Sequence, residues 1–168
     1  MKKILYLFFV AIMLFGLAAC NKISSNNDTI EAETMHILTE APNESVFQRL
    51  SYSIYIPNAN ADGFDVEIIL TDDISAETVL TELIYRNILP DTVSINSSKI
   101  DNRMITIDFN QAFADVVCSM GTSGEFMIVG SVVNTFLDAF QAESIYFTVD
   151  GQVLESGHTI YDFAMTYF

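Results

Sequence analysis

The sequence predicts one α+β domain, a mostly antiparallel sheet with two helices on one face, in the order β-β-α-β-β-α-β-β. Three observations carry this. Short segments alternate apolar and polar residues and come in pairs joined by turn signals, two segments show helical spacing instead, and the composition can fill a core. Of the 168 residues, 51% are hydrophobic and 12% aromatic, with 13 Phe and 7 Tyr, so global disorder is excluded. Lys and Arg number 7 against 22 Asp and Glu, for a net charge of −15. That excludes nucleic acid as a partner, because phosphate binding needs clustered cations.

The elements follow in order. Tyr52, Ile54 and Ile56 alternate with Ser51 and Ser53 before Pro57, a half-buried strand stopped by proline. After the turn signal Ala61-Asp62-Gly63, a second strand puts Phe64, Val66, Ile68 and Leu70 on one face and Asp65 and Glu67 on the other. The period then changes. Val79, Leu80, Leu83, Ile84 and Ile88 follow helical spacing after a candidate cap at Asp73 or Ser75, with Glu77 in the first turn and Pro90 as terminator.

Ile95 to Ile100 and Met104 to Phe109 read as strands joined at Asp101-Asn102, with Ile105, Ile107 and Phe109 inward. After Gly121-Thr122-Ser123-Gly124, the residues Phe126, Val129, Gly130, Val133, Phe136, Leu137 and Phe140 form the longest helical stripe. A last hairpin turns at Asp150-Gly151 between Ile145–Val149 and Gln152–Glu155. The aromatic C-terminus, Tyr161 to Phe168, is read as either docked as an edge strand or exposed as an apolar patch.

Upstream of this body, Lys2 and Lys3 precede the apolar run Ile4–Ala19. The run is shorter than the roughly 20 residues that span a bilayer, and it reads as a signal peptide, residues 1–19. Leu17-Ala18-Ala19-Cys20 resembles the lipobox of bacterial lipoproteins. The resemblance implies lipid attachment at Cys20, cleavage before it, and an extracytoplasmic protein held at the cell membrane. Two acyl chains suffice for a stable anchor. Residues 21–46 are polar and lack aromatics; with Cys20 they form a lipidated, flexible tether that also contains His36. The folded domain is expected over residues 47–168.

Lipidation of Cys20 leaves Cys118 alone, so no intramolecular disulfide is expected, and the apolar context of Cys118 predicts a buried, inert thiol. Catalytic patterns are missing: with His36 and His158 as the only histidines a His/Cys zinc site lacks ligands. No HExxH, GxSxG or P-loop pattern occurs. His158 with Asp162 is a weak basis for a Ser-His-Asp arrangement. Asp72-Asp73, Asp65, Glu67 and Asp108 lack the loop spacing of an EF-hand and read as surface carboxylates. The sequence therefore predicts no enzyme, no metal and no cofactor. The lack of Trp also weakens a sugar-stacking reading.

Residues 75–158 resemble the GerMN domain, a sporulation and spore-germination module of envelope lipoproteins. The landmarks are Ile88-Leu89-Pro90, the strand ending Ile107-Asp108-Phe109, the helix segment Val132-Val133-Asn134-Thr135-Phe136, the hairpin Val149-Asp150-Gly151, and Gly157-His158. The family usually continues from Gly-His to an acid, a serine and a proline; here Thr159-Ile160-Tyr161-Asp162-Phe163 follows instead. The resemblance implies a non-catalytic binding or assembly module in cell or spore envelope complexes. Asp108, Phe109, Asn134, Asp150, Gly151, Gly157 and His158 are its structural or interaction positions. The acidity of the chain favours a partner with a basic face. An alternative is a lipoprotein that captures a peptidoglycan fragment or a small solute.

Overall fold

The computed structural model describes residues 49–168; the readings for the signal peptide, for Leu17 to Cys20 and for the tether with His36 lie outside the described residues. The elements run β1 (Leu50–Pro57), β2 (Phe64–Thr71), α1 (Ala76–Tyr85), β3 (Ile95–Asp101), β4 (Met104–Phe109), α2 (Gln111–Ser119), α3 (Thr122–Phe140), β5 (Ser144–Val149) and β6 (Gln152–Val153). The α+β class is as predicted, with two differences. The strands form two sheets, a β1-β2 ribbon and a four-stranded β3-β4-β5-β6 sheet, and a third helix, α2, precedes α3.

Most strand pairs are antiparallel, but β4 and β5 run parallel from Met104↔Ser144 to Phe109↔Val149. The extra helix accounts for this, since α2 and α3 together form the long crossover that parallel neighbours require. α2 buries Phe113, Ala114 and Val117, a stripe of barely two turns that gives little periodic signal. Phe113 stacks on Phe109 with ring centroids 4.2 Å apart, and both meet Phe147 edge-on at 5.6 and 5.3 Å. All three rings are fully buried, and each such side chain contributes about 1.5–3 kcal/mol through burial.

Of the two candidate caps of α1, Ser75 is the one used. Its hydroxyl accepts the Thr78 N–H at 3.2 Å, while the Thr78 hydroxyl accepts the Ser75 N–H at 2.9 Å, a reciprocal capping box. The helix ends at Tyr85, before Pro90, and Asn87 just beyond its cap is left-handed, with φ of 57°. There the Ile88 N–H reaches back to the Leu83 carbonyl at 3.0 Å. The β3–β4 turn lies one residue later than predicted, with positive φ at Asn102 and Arg103, whereas the β5–β6 turn falls at Asp150 and Gly151 as predicted.

α3 is buried on nearly all sides, including Ser131, Asn134 and Thr135. These polar residues have partners. Asp138 Oδ2 accepts the Ser53 N–H at 2.5 Å, Thr135 Oγ1 accepts the Tyr55 N–H at 3.1 Å, and Ser131 Oγ donates to the Tyr55 carbonyl. Positions 131, 135 and 138 share one helix face, so α3 takes the place of a neighbouring strand along the edge of β1 that β2 does not cover.

The predicted alternation holds in β2, but its apolar face is the one turned to solvent: Val66, Ile68 and Leu70 are 54%, 65% and 63% exposed. The register explains it. Tyr52 lies opposite Ile69 and Ile54 opposite Glu67, and cross-strand partners share a face. The buried Tyr52 and Ile54 thus bring Ile69 and Glu67 to the core side. Glu67 is balanced there by Arg86, which donates to it at 3.1 Å and also pairs with Glu82.

The C-terminus both docks and exposes aromatic surface. Tyr161 and Met165 are buried, and Ile145 and Met165 exchange backbone hydrogen bonds of 2.9 and 2.8 Å. This is a single bridge on β5 and not an edge strand. Cys118 is a further correction. It is exposed, with Sγ 3.5 Å from the Glu155 carbonyl, because the short α2 turns Phe113, Ala114 and Val117 inward and position 118 away.

Candidate functional site

The motif positions from the sequence divide into two groups. Asp108 lies at the end of β4, beside the β5–β6 turn. Its Oδ1 accepts the Gly151 N–H at 2.7 Å and the Thr148 hydroxyl at 2.6 Å, and its Oδ2 accepts Asn96 Nδ2 at 3.1 Å. The Thr148 hydroxyl, then the Gly151 N–H, hold its carboxyl below the ordinary range; desolvation opposes them and Asn96 adds to them. Asn96 Nδ2 also reaches Asp150 Oδ1 at 2.9 Å and the Phe109 carbonyl at 3.0 Å. Asp108, Phe109, Asp150 and Gly151 thus form one connected structural corner.

The second group lies on α3 and the segment that follows β6. Asn134 is 2% exposed, and its Oδ1 accepts the Phe168 N–H at 2.9 Å, so it ties the last residue to the central helix. Gly157 and His158 are exposed. The His158 and Thr159 N–H groups both donate to Ser156 Oγ, at 3.0 and 2.9 Å, which closes the turn through backbone and serine and not through the imidazole. Asp162 is exposed, and no hydrogen bond joins it to His158 among the described residues.

Beneath this turn lies a cluster that the sequence reading missed. Glu125 is 2% exposed, and its Oε1 accepts the Ser156 hydroxyl at 2.6 Å and the Tyr161 hydroxyl at 2.7 Å. Burial, reinforced by Glu125, holds the Tyr161 phenol well above its ordinary range. A signal did exist, since Glu125 precedes the buried Val129, Val132 and Phe136 by four, seven and eleven residues and so sits on the helix's apolar stripe. Among the described residues, no group of three or more His, Cys, Asp or Glu is placed to hold a metal ion.

A third feature is a surface. β2 is an outer strand, and among the described residues nothing pairs with its free edge. Its exposed Val66, Ile68 and Leu70 lie along one face, and Asp65, Glu67, Asp72 and Asp73, on the same strand or just after it, are exposed. An apolar open edge of this kind is a template for pairing with another chain.

No curated protein matches this chain. The solved structures similar to it include the following two. One is a candidate lipoprotein from Clostridium perfringens, 16% identical, with a TM-score of 0.47, covering 72% of this chain and 89% of that one. The other comprises the tandem GerMN domains of the sporulation protein GerM from Bacillus subtilis, 15% identical, with a TM-score of 0.47, covering 71% of this chain and 45% of that one. The model of the Germane family, described as sporulation and spore germination, matches residues 53–155, and with more than half its length so matched the chain belongs to that family.

Proposed function

We propose that this chain is an extracytoplasmic lipoprotein, anchored through Cys20, whose Germane domain is a non-catalytic module that assembles with a protein of the cell or spore envelope. The observation that carries the reading is the open β2 edge. Val66, Ile68 and Leu70 offer an apolar strip beside unpaired backbone groups, and an extended partner segment can extend the ribbon there with main-chain hydrogen bonds. Neighbouring acids and a net charge of −15 favour a segment in which basic residues alternate with apolar ones. Lipidation fixes the module at the membrane and raises its effective concentration toward partners there. Among the described residues no helix is long and apolar enough to cross a membrane.

A photo-crosslinking residue at Leu70 of the full chain, activated in envelope membranes, tests the reading. The expected product is an adduct with one membrane protein, lost when Ile68→Asp is added. Absence of any protein adduct, or an adduct indifferent to Ile68→Asp, rejects the docking edge. Cys20→Ala is expected to release the chain from membranes; continued sedimentation with them rejects the anchor.

A further inference from the structure

Glu125 is the one buried carboxyl whose hydrogen bonding is incomplete among the described residues. Its Oε1 has two donors, from Ser156 and Tyr161, while its Oε2 is buried without a partner. A buried acceptor left unpaired destabilises the fold, so such an atom in a native fold points to a donor that arrives from outside. Glu125 also lines a pocket of about 190 Å³, together with Phe126, His158, Tyr161, Phe163 and Phe168. Three of these rings are held at the surface and not packed into the core: Phe126, Phe163 and Phe168 are 51%, 50% and 42% exposed. Phe126 and Phe168 meet edge-on at 5.0 Å, and Phe163 stacks on Tyr161 at 6.3 Å.

We propose that this pocket binds an alkylammonium group, with the ammonium on Glu125 and its carbon stem along the phenylalanine rings. The chemistry selects the ligand. Ring faces attract cations, an ammonium offers three donors where one acceptor is free, and a methylene stem suits apolar walls. Tyr161 and Ser156 donate to Oε1 and leave Oε2 as the acceptor for the incoming group. An anionic ligand would meet the Glu125 carboxylate and a chain of net charge −15, and a neutral one would forgo the charge. The group belongs to a lysine side chain of a polypeptide or to a free diamine. The site lies on α3 and the C-terminal segment, uses none of Val66, Ile68 and Leu70, and does not depend on the docking edge.

Titration of the full chain in detergent micelles with n-butylammonium chloride, followed by amide NMR, tests the proposal, with n-butanol as the neutral counterpart. Saturable shifts confined to Glu125, Phe126, Tyr161 and their neighbours are expected, with butanol at least tenfold weaker. Glu125→Gln keeps the shape and an acceptor for Ser156 and Tyr161 and is expected to weaken butylammonium at least tenfold. Should that variant fail to fold, Phe163→Ala, which removes an exposed ring, is expected to weaken binding about fivefold with the circular dichroism spectrum unchanged. A capped Gly-Lys-Gly peptide binding more tightly than 1,4-diaminobutane identifies a polypeptide source, and the reverse order a free amine. Lack of saturable shifts at these residues, equal binding of butanol, or undiminished binding in a folded Glu125→Gln or Phe163→Ala variant overturns the site.

Discussion

Asp108 on β4 accepts the backbone N–H of Gly151 at 2.7 Å, across 43 residues of sequence. The contact joins the end of β4 to the turn that follows β5, where the two strands run parallel. The Asp150 N–H, donating to the Phe109 carbonyl at 2.8 Å, completes the corner from the backbone side. Hydrogen bonds to a charged acceptor are about twice as strong as neutral ones, so this carboxylate locks the register that the α2–α3 crossover leaves to be defined.

Asp108→Asn is therefore expected to destabilise the domain by about 1–2 kcal/mol. The amide keeps one acceptor for Thr148 and Gly151 but turns an NH₂ group toward the Asn96 NH₂. The pH dependence gives a second readout. Because the folded carboxyl titrates below its unfolded value of about 4, its stabilisation is complete above that pH and is lost as pH falls through the folded value. Urea denaturation from pH 6 down to pH 3 should show a shallower decline in the variant. An unchanged midpoint at pH 6 would remove Asp108 from the account of the register.

The edge of β1 gives another test. The Tyr55 N–H is half-buried and finds its acceptor in Thr135 Oγ1, itself inaccessible to solvent. Thr135→Val preserves shape and removes the acceptor, an exchange expected to cost about 1–3 kcal/mol. Thr135→Ser retains the hydroxyl and should recover most of that loss. Equal denaturation midpoints for the Val and Ser variants would show that shape and not the hydrogen bond holds β1 on α3.

Local signals in the sequence identify the alternating strands, the long stripe of α3 and the Asp150-Gly151 turn. What they leave out is set by distant partners. The exposed face of β2 follows from the Tyr52↔Ile69 register, which alternation alone does not specify, since both faces of that strand alternate. α2 escaped because its buried stripe is short, and the parallel β4–β5 pair followed it. Glu125 was passed over because a carboxyl on an apolar stripe has meaning only when Ser156 and Tyr161, more than thirty residues away, are seen to meet it.

Alkaline titration tests the burial of the phenols. Burial, with the Glu82 charge adding and Arg86 opposing, pushes Tyr52 up to about 12. A phenol whose folded value lies above the unfolded value of about 10 adds stability that is complete below pH 10 and is lost as pH rises through the folded value. Tyr52→Phe should fall within about 0.5 kcal/mol of the parent at pH 7, because among the described residues its hydroxyl has no hydrogen-bond partner. Between pH 10 and 12 the variant should lose stability less steeply than the parent, with Tyr161 still contributing. Identical slopes would assign the alkaline sensitivity elsewhere.

Gly130 decides how closely α3 and the strands approach. A Cβ built there would stand 2.6 Å from Phe64 Cζ and 3.1 Å from two ring atoms of Phe168. Two effects oppose each other on substitution. Alanine gains about 1 kcal/mol over glycine in a helix interior, while overpacking costs about 1–3 kcal/mol. Phe168 is exposed and can yield, but the half-buried Phe64 ring is held edge-on to Tyr55, with centroids 6.4 Å apart. The clash should therefore exceed the propensity gain, and Gly130→Ala should be less stable than the parent by about 1 kcal/mol. Adding Phe64→Leu removes the atom at 2.6 Å, so the double variant should be more stable than additivity of the two single changes predicts. Thermal denaturation of the parent, both single variants and the double variant checks this. Gly130→Ala at or above parental stability would mean that the helix can shift away from the β1-β2 ribbon without loss.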